Sequence, residues 1–120
     1  MRRVLIVDDA LIARKLLRTM LEKNGFDVVG EAENGAEGIQ KYHEHRPDLV
    51  TMDITMPEMD GIQALKAIKA MDPRAKVIVI SALGQEVFVK EAVKCGAKNF
   101  LLKPFKEDKV IETLNKIAAM

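Results

Sequence analysis

The chain has a single cysteine in 120 residues, Cys95 in "AVKCGA", and therefore no second thiol with which to form a disulfide. A lone thiol fits a reducing compartment and reads most simply as a small buried hydrophobe. Net charge is also nearly missing: 19 basic side chains against 18 acidic ones leave a formal +1. That removes the long-range field on which a non-specific DNA binder or a membrane-surface binder relies. No apolar run approaches the ~18 residues of a membrane span. The short run in "MRRVLIVDDA" meets acids at once and has no small-residue cleavage site, so it is no signal peptide. Neither a G-x-G-x-x-G nor a P-loop string occurs, which leaves a nucleotide without a glycine cradle. Linkers, low-complexity segments and internal repeats are lacking too. What remains is a cytoplasmic protein with no membrane segment and no direct nucleic-acid role.

With 48% hydrophobic and 31% charged residues, the composition is that of an ordinary globule. Residues 1–120 suit one domain, and a chain of this size buries roughly two-thirds of its unfolded surface, enough to fold without a disulfide or a structural metal. Five short apolar runs punctuate it: "VLIV" (4–7), "VVG" (28–30), "LVTM" (49–52), "VIVI" (77–80) and "FLL" (100–102). Continuous apolarity predicts strands covered on both faces. Between them the spacing becomes helical. Ile12, Leu16 and Met20 with Leu17 and Leu21 form one stripe; Ile62, Leu65 and Ile68 another; Val110, Ile111, Leu114 and Ile117 a last one. Asn34 with Glu37 resembles a capping box, Gly25 and Gly96 stand where helices should end, and Pro47 and Asp72-Pro73 close the helices before them. The pattern is an α/β chain of (βα)5 type: an open parallel five-stranded sheet, doubly wound, with helices on both faces. Function in such sheets collects at the carboxyl ends of the strands.

Those ends are Asp8-Asp9, a position near Glu31, Asp53, Ser81 and Lys103. Singly, each has an ordinary explanation. Asp8 or Asp9 could cap a helix beginning near Leu11, Asp53 could open a turn before Pro57, Ser81 could cap, and Lys103 could be a solvated charge. Together they form a problem in electrostatics. Two carboxylates ~4 Å apart repel by roughly 4 kcal/mol at an effective dielectric near 20. A proton or a cation has to settle three of them, and Lys103 brings only one positive charge. Oxygen ligands without a nearby His or Cys favour Mg²⁺ over zinc, and Mg²⁺ keeps room for phosphate oxygens. The constellation reads as a metal-assisted phosphoryl site. His43 and His45, two apart on a helical segment, do not share a face and are not read as metal ligands.

The blocks "VLIVDDA", "DLVTMDITMPEMDGIQAL", "VIVISA" and "NFLLKPF" resemble the signature blocks of the two-component response-regulator receiver domain, in particular its CheY-like single-domain members. The likeness runs from Val4 to Ile117. It implies a flavodoxin-like strand order 2-1-3-4-5, of which CheY is itself a standard example. It further implies that Asp53 is the phosphoacceptor, taking a phosphoryl group from a histidine kinase. Asp9, Asp53 and the backbone carbonyl of Thr55 would be direct Mg²⁺ ligands, with Asp8 acting through water. Ser81 would be the switch hydroxyl, Lys103 the lysine that pairs with a phosphoryl oxygen, and the peptide before Pro104 cis. Phosphorylation and its loss would be self-catalysed, with no turnover of outside substrates.

One residue departs from the family. The strand-five aromatic that turns inward with the switch hydroxyl is commonly Tyr; here it is Phe100, which can fill space but offers no hydroxyl. The helix from about Gln85 to Cys95 is apolar on more sides than a one-face helix needs: Val87, Phe88, Val89, Ala92 and Val93. Part of it, with Phe88, Val89 and Val93, is expected to offer a partner surface together with strand five and the last helix, although single exposed apolar residues of no consequence are common. The expected partners are a histidine kinase and a downstream protein, with the flagellar motor switch as a candidate, and the expected state is a monomer. A chemotaxis role follows from the family likeness alone.

Two other functions compete. A haloacid-dehalogenase-like phosphatase also uses a strand-end Asp with Mg²⁺, but needs a second Asp two residues on, where this chain has Thr55. A flavodoxin-like electron carrier would need a Ser/Thr/Gly-rich phosphate loop after strand one, where "DDALIAR" would repel a flavin phosphate. The "MR" start and the helix reaching the last residue favour a stand-alone regulator over a receiver domain excised from a longer one.

Overall fold

The computed structural model describes residues 2–57 and 59–120. Five strands alternate with five helices: β1 (Arg3–Val7), α1 (Leu11–Lys23), β2 (Asp27–Ala32), α2 (Gly35–His45), β3 (Leu49–Asp53), α3 (Gly61–Met71), β4 (Val77–Ser81), α4 (Glu86–Lys94), β5 (Asn99–Leu102) and α5 (Glu107–Ala118). The strands form one parallel sheet in the order β2-β1-β3-β4-β5. Both the (βα)5 pattern and the order implied by the resemblance hold.

The sheet separates two cores, and strand alternation assigns each side chain to one of them. Leu5, Val7, Val50, Met52, Val77 and Val79 pack with Ile62, Leu65 and Ile68 of α3 and Ala92 of α4. Val4, Ile6, Leu49, Ile78 and Ile80 pack with Leu17 and Leu21 of α1 and Val110, Leu114 and Ile117 of α5. The three central strands are therefore buried on both faces, as their unbroken apolar runs predict. Strand β5 differs. It is an edge strand, and Phe100 and Leu102 turn a largely exposed face outward.

Helix α1 also departs from expectation. Leu17, Met20 and Leu21 are buried, but Ile12 is 81% exposed and Leu16 is exposed too. The buried stripe passes instead through Arg14, which stands three residues before Leu17 and seven before Leu21. Punctuation elsewhere follows the residues. The Asn34 side chain accepts from the Glu37 N–H at 2.8 Å and starts α2, and Asp60 does the same for Gln63 at 2.9 Å and starts α3. Gly25 and Gly96 follow their helices at φ +85° and +105°, in the left-handed region that only glycine enters at no cost.

The turn after β3 is closed against its own start. Gly61 donates its N–H to the Ile54 carbonyl at 2.8 Å, and its α-carbon lies so near the Asp53 carbonyl that a β-carbon there would overlap backbone atoms of Asp53 and Ile54. Backbone cannot swing aside as a side chain can. Gly61→Ala is expected to lower stability by about 3 kcal/mol, measured by urea unfolding, whereas Gly25→Ala, which meets no neighbouring atom, should cost only the strain of its positive φ.

Candidate functional site

The carboxyl ends of β1, β3 and β4 and the residue after β5 meet at one edge of the sheet. Asp8, directly after β1, is buried and held at four points. Its N–H donates to the Ala32 carbonyl at 3.0 Å, and its Oδ1 accepts from the Ala10 N–H at 2.9 Å. Its Oδ2 lies 2.9 Å from Lys103 Nζ, and its carbonyl accepts from Arg14 Nη1 at 2.6 Å. Asp9 beside it is exposed. Neither acid caps α1, whose cap position is Ala10 with no side-chain bond.

Asp53 ends β3 and is buried, with Oδ2 3.4 Å from Lys103 Nζ. Asp8, Asp9 and Asp53 each bring a carboxylate oxygen within 4.8 Å of the others. One lysine shared between two buried acids leaves the trio net negative. Burial, and then the charge of Asp8, push the Asp53 pKa up to about 6 against the opposing pull of Lys103. Burial works against the charge on Lys103 as well, but its hydrogen bonds and ion pairs with Asp8 and Asp53 outweigh that and hold its pKa above the usual lysine value.

Ser81 ends β4. It is almost fully buried, yet its Oγ has no hydrogen-bond partner. A buried hydroxyl left unpaired costs free energy, so an oxygen-rich ligand arriving here would find a donor in waiting. Thr51 Oγ1 is also buried without a partner, and nothing at the site accounts for it. Lys103 follows β5 directly; its N–H donates to the Ser81 carbonyl at 2.9 Å, and the Lys103–Pro104 peptide is cis. Thr55, two residues past Asp53, is exposed, and its Oγ1 accepts from Gln85 Nε2 at 2.5 Å.

Further out, Phe100 is 41% exposed, and Phe88 and Val93 of α4 are about half exposed. Val89 is partly buried and packs on the core, so the open part of α4 is carried by Val87, Phe88 and Val93. Sequence reasoning left Glu31 unplaced and overlooked Arg14. Glu31 turns away from the acidic trio. Its carboxylate accepts from Arg14 Nε at 3.0 Å and from Arg18 Nη1 at 2.6 Å; burial opposes its charge, but the two arginines win and its pKa falls below the ordinary value. The same buried guanidinium reaches the Asp8 carbonyl, so Arg14 braces the acidic turn from beneath. Its spacing to Leu17 and Leu21 was the available signal.

The donor set can hold a hard cation: three converging carboxylates, one of them open to solvent, with no softer ligand in the group. Comparison with known proteins agrees with the geometry. The family model described as the response regulator receiver domain matches residues 4–115. The chain belongs to that family. It is 59% identical over 114 residues to the chemotaxis protein CheY of Bacillus subtilis (strain 168), covering 95% of each chain, and 56% identical over 117 residues to the CheY of Thermotoga maritima, covering 98% of each. Its fold superposes with a TM-score of 0.92 on a chain of the crystal structure of the CheX-CheY-BeF3-Mg+2 complex from Borrelia burgdorferi, at 42% identity, covering 97% of this chain and 88% of that one. Receiver domains are signalling proteins, and neither the phosphatase nor the electron-carrier alternative is favoured.

The raised Asp53 pKa has a thermodynamic consequence. Between the unfolded value of 3.8 and the native value of about 6 the folded chain binds more protons than the unfolded one, so this group's contribution to stability falls as pH rises through that window. Without metal, Asp53→Asn is expected to be more stable than the parent above pH 7, by up to about 3 kcal/mol. The gain should shrink towards zero near pH 4 and reverse when millimolar Mg²⁺ is added. Thermal melts across pH, with and without the ion, read all three effects.

Proposed function

We propose that the chain is a single receiver domain spanning residues 1–120 and works as a phosphorylation-controlled switch, with Asp53 accepting a phosphoryl group from the phosphohistidine of a kinase. The observation that carries the reading is the gathering of three carboxylates, one shared lysine and an unpaired buried hydroxyl at one strand edge. Phosphoryl transfer needs little covalent work from a protein; it needs in-line positioning and cancellation of oxygen charge.

Each residue then has a task. An Asp53 carboxylate oxygen attacks phosphorus, the P–O bond forms as the P–N bond breaks, and the imidazole departs with the electron pair and takes up a proton. Asp8, Asp9 and Asp53, with the Thr55 carbonyl, would hold Mg²⁺. When bound, the ion neutralises the phosphoryl oxygens and the crowded acids alike. Lys103 is already drawn between Asp8 and Asp53 and can transfer its ammonium to a phosphoryl oxygen without leaving the site. Ser81 supplies the hydroxyl that a phosphorylated Asp53 would draw upon.

The output is a change in the surface offered to a protein partner. The relatives' description as chemotaxis proteins supports a place in chemotaxis, with a histidine kinase upstream and a target such as the flagellar switch downstream. We assign the partner surface to the open face of α4 and the outward side of β5, with Phe88, Val93 and Phe100 as its apolar part. Because Phe100 is turned outward and has no hydroxyl, its role would rest on filling space rather than on a hydrogen bond. No helix among the described residues is long and apolar enough to cross a membrane, and a cytoplasmic monomer is the form we assign.

Intact mass after incubation with acetyl phosphate and Mg²⁺ should show one added phosphoryl group on the parent and none on Asp53→Asn; equal labelling of the two would overturn the assignment. Asp9→Ala should weaken Mg²⁺ binding at least about tenfold, read by chemical-shift titration. Phe88→Asp should lose affinity for the downstream partner while taking label at the parental rate, and an undiminished affinity would remove α4 from the surface.

A further inference from the structure

The side chain of Gln85 makes two hydrogen bonds to residues that closely follow Ser81 and Asp53 in the chain. Its Oε1 accepts from the Ala82 N–H at 2.6 Å, and its Nε2 donates to Thr55 Oγ1 at 2.5 Å. Ala82 immediately follows Ser81, and Thr55 stands two residues after Asp53, so one carboxamide ties the loop after β4 to the loop after β3. The backbone completes a ring, with the Gln85 N–H donating to the Ala82 carbonyl at 3.3 Å. Gly84 makes the turn possible at φ +91°. Gln85 is also the cap residue of α4, and its carbonyl receives the Val89 N–H at 3.1 Å.

We propose that Gln85 is a positioning residue of the phosphoacceptor site, a latch that occupies the Ala82 N–H in the resting protein and must release it when a phosphoryl group is taken up. The inference rests on Asp53 being the phosphoacceptor. Asp53 pairs in register with Ile80, and the Ile54 N–H bonds the Ile80 carbonyl at 3.1 Å. Beyond that point stand the Ser81 hydroxyl, at the end of the neighbouring strand β4, and the Ala82 N–H just after it. A phosphoryl group on Asp53 adds strong acceptor oxygens beside them. The hydroxyl is unpaired; the N–H is taken by Gln85. The latch therefore sets the fraction of molecules in which both donors are available, and a reduced competent fraction lowers the apparent affinity and rate in proportion. Because Gln85 is the cap residue of α4, the same release frees the side chain at the start of the helix that carries Phe88 and Val93.

The contrast with a purely structural role is one of direction. If Gln85 only holds the loop in place, its loss should disorder the site and slow labelling. If it is a latch, loss of the carboxamide should quicken it. Gln85→Ala and Thr55→Val are each compared with the parent for the rate of labelling by acetyl phosphate at saturating Mg²⁺, for Mg²⁺ affinity, and for amide exchange at Ala82. Gln85→Ala is expected to label about fivefold faster, the factor that one typical hydrogen bond represents. Mg²⁺ affinity should stay within twofold, and exchange at Ala82 should accelerate. Thr55→Val, which loses one of the two tethers, should move the same way by less. Labelling of Gln85→Ala at or below the parental rate, or unchanged exchange at Ala82, overturns the latch while leaving Asp53 as acceptor. An unlabelled parent overturns the phosphoacceptor reading and the latch with it.

Discussion

Everything at the site follows from one electrostatic constraint: three carboxylates meet where the sheet supplies a single ammonium. Lys103 lies 2.9 Å from Asp8 and 3.4 Å from Asp53, and the closer contact goes to the more deeply buried acid. Asp53 is left as the poorly compensated member, pushed up to about 6 chiefly by burial. A residue in that condition gains most from any group that brings positive charge. The resting site is thus unsatisfied by construction, and its chemistry consists of completing it.

The surrounding structure exists to keep that imbalance in place. Asp8 cannot turn away, because four separate contacts hold its backbone and side chain. Asp53 leaves the most thoroughly buried part of the sheet, where β3 is covered on both faces. Lys103 is fastened by its N–H to the Ser81 carbonyl, so the cation and the waiting hydroxyl belong to neighbouring rungs of one ladder. Repulsion among the acids would otherwise be relieved by small movements of loop residues.

Most of the architecture was legible because it depends on periodicity and on chain-terminating residues. The runs at Val4, Leu49 and Val77 could only be doubly covered strands, and Asn34, Gly25 and Gly96 marked helix boundaries that the structure keeps. The strand-end acids were legible as a group because three like charges in corresponding positions are hard to explain singly. What escaped was everything carried by long side chains crossing between elements. Arg14 reads as a surface charge until its spacing to Leu17 is given more weight than its polarity, and Ile12 and Leu16 were assigned to the buried stripe that Arg14 in fact completes. Glu31 could not be oriented without Arg14 and Arg18. Gln85 gave no sign at all, since its partners stand three and 30 residues away in the chain. Pairings of that kind depend on the tertiary arrangement of loops rather than on any local pattern.

The closure of the turn after β3 separates two jobs within a few residues. Gly61 is pressed against the Asp53 carbonyl and bonded to Ile54, so the segment between them leaves and re-enters the fold at one fixed point. One job is to pin the ends of the segment beside the nucleophile; the other is to seat it on the fold, through Met56, which is buried, and the Met59 carbonyl, which accepts from the Gly35 N–H at 3.3 Å. A substitution at Gly61 would therefore be felt at the Asp53 backbone itself, so that damage to the fold and damage to the nucleophile would arrive together.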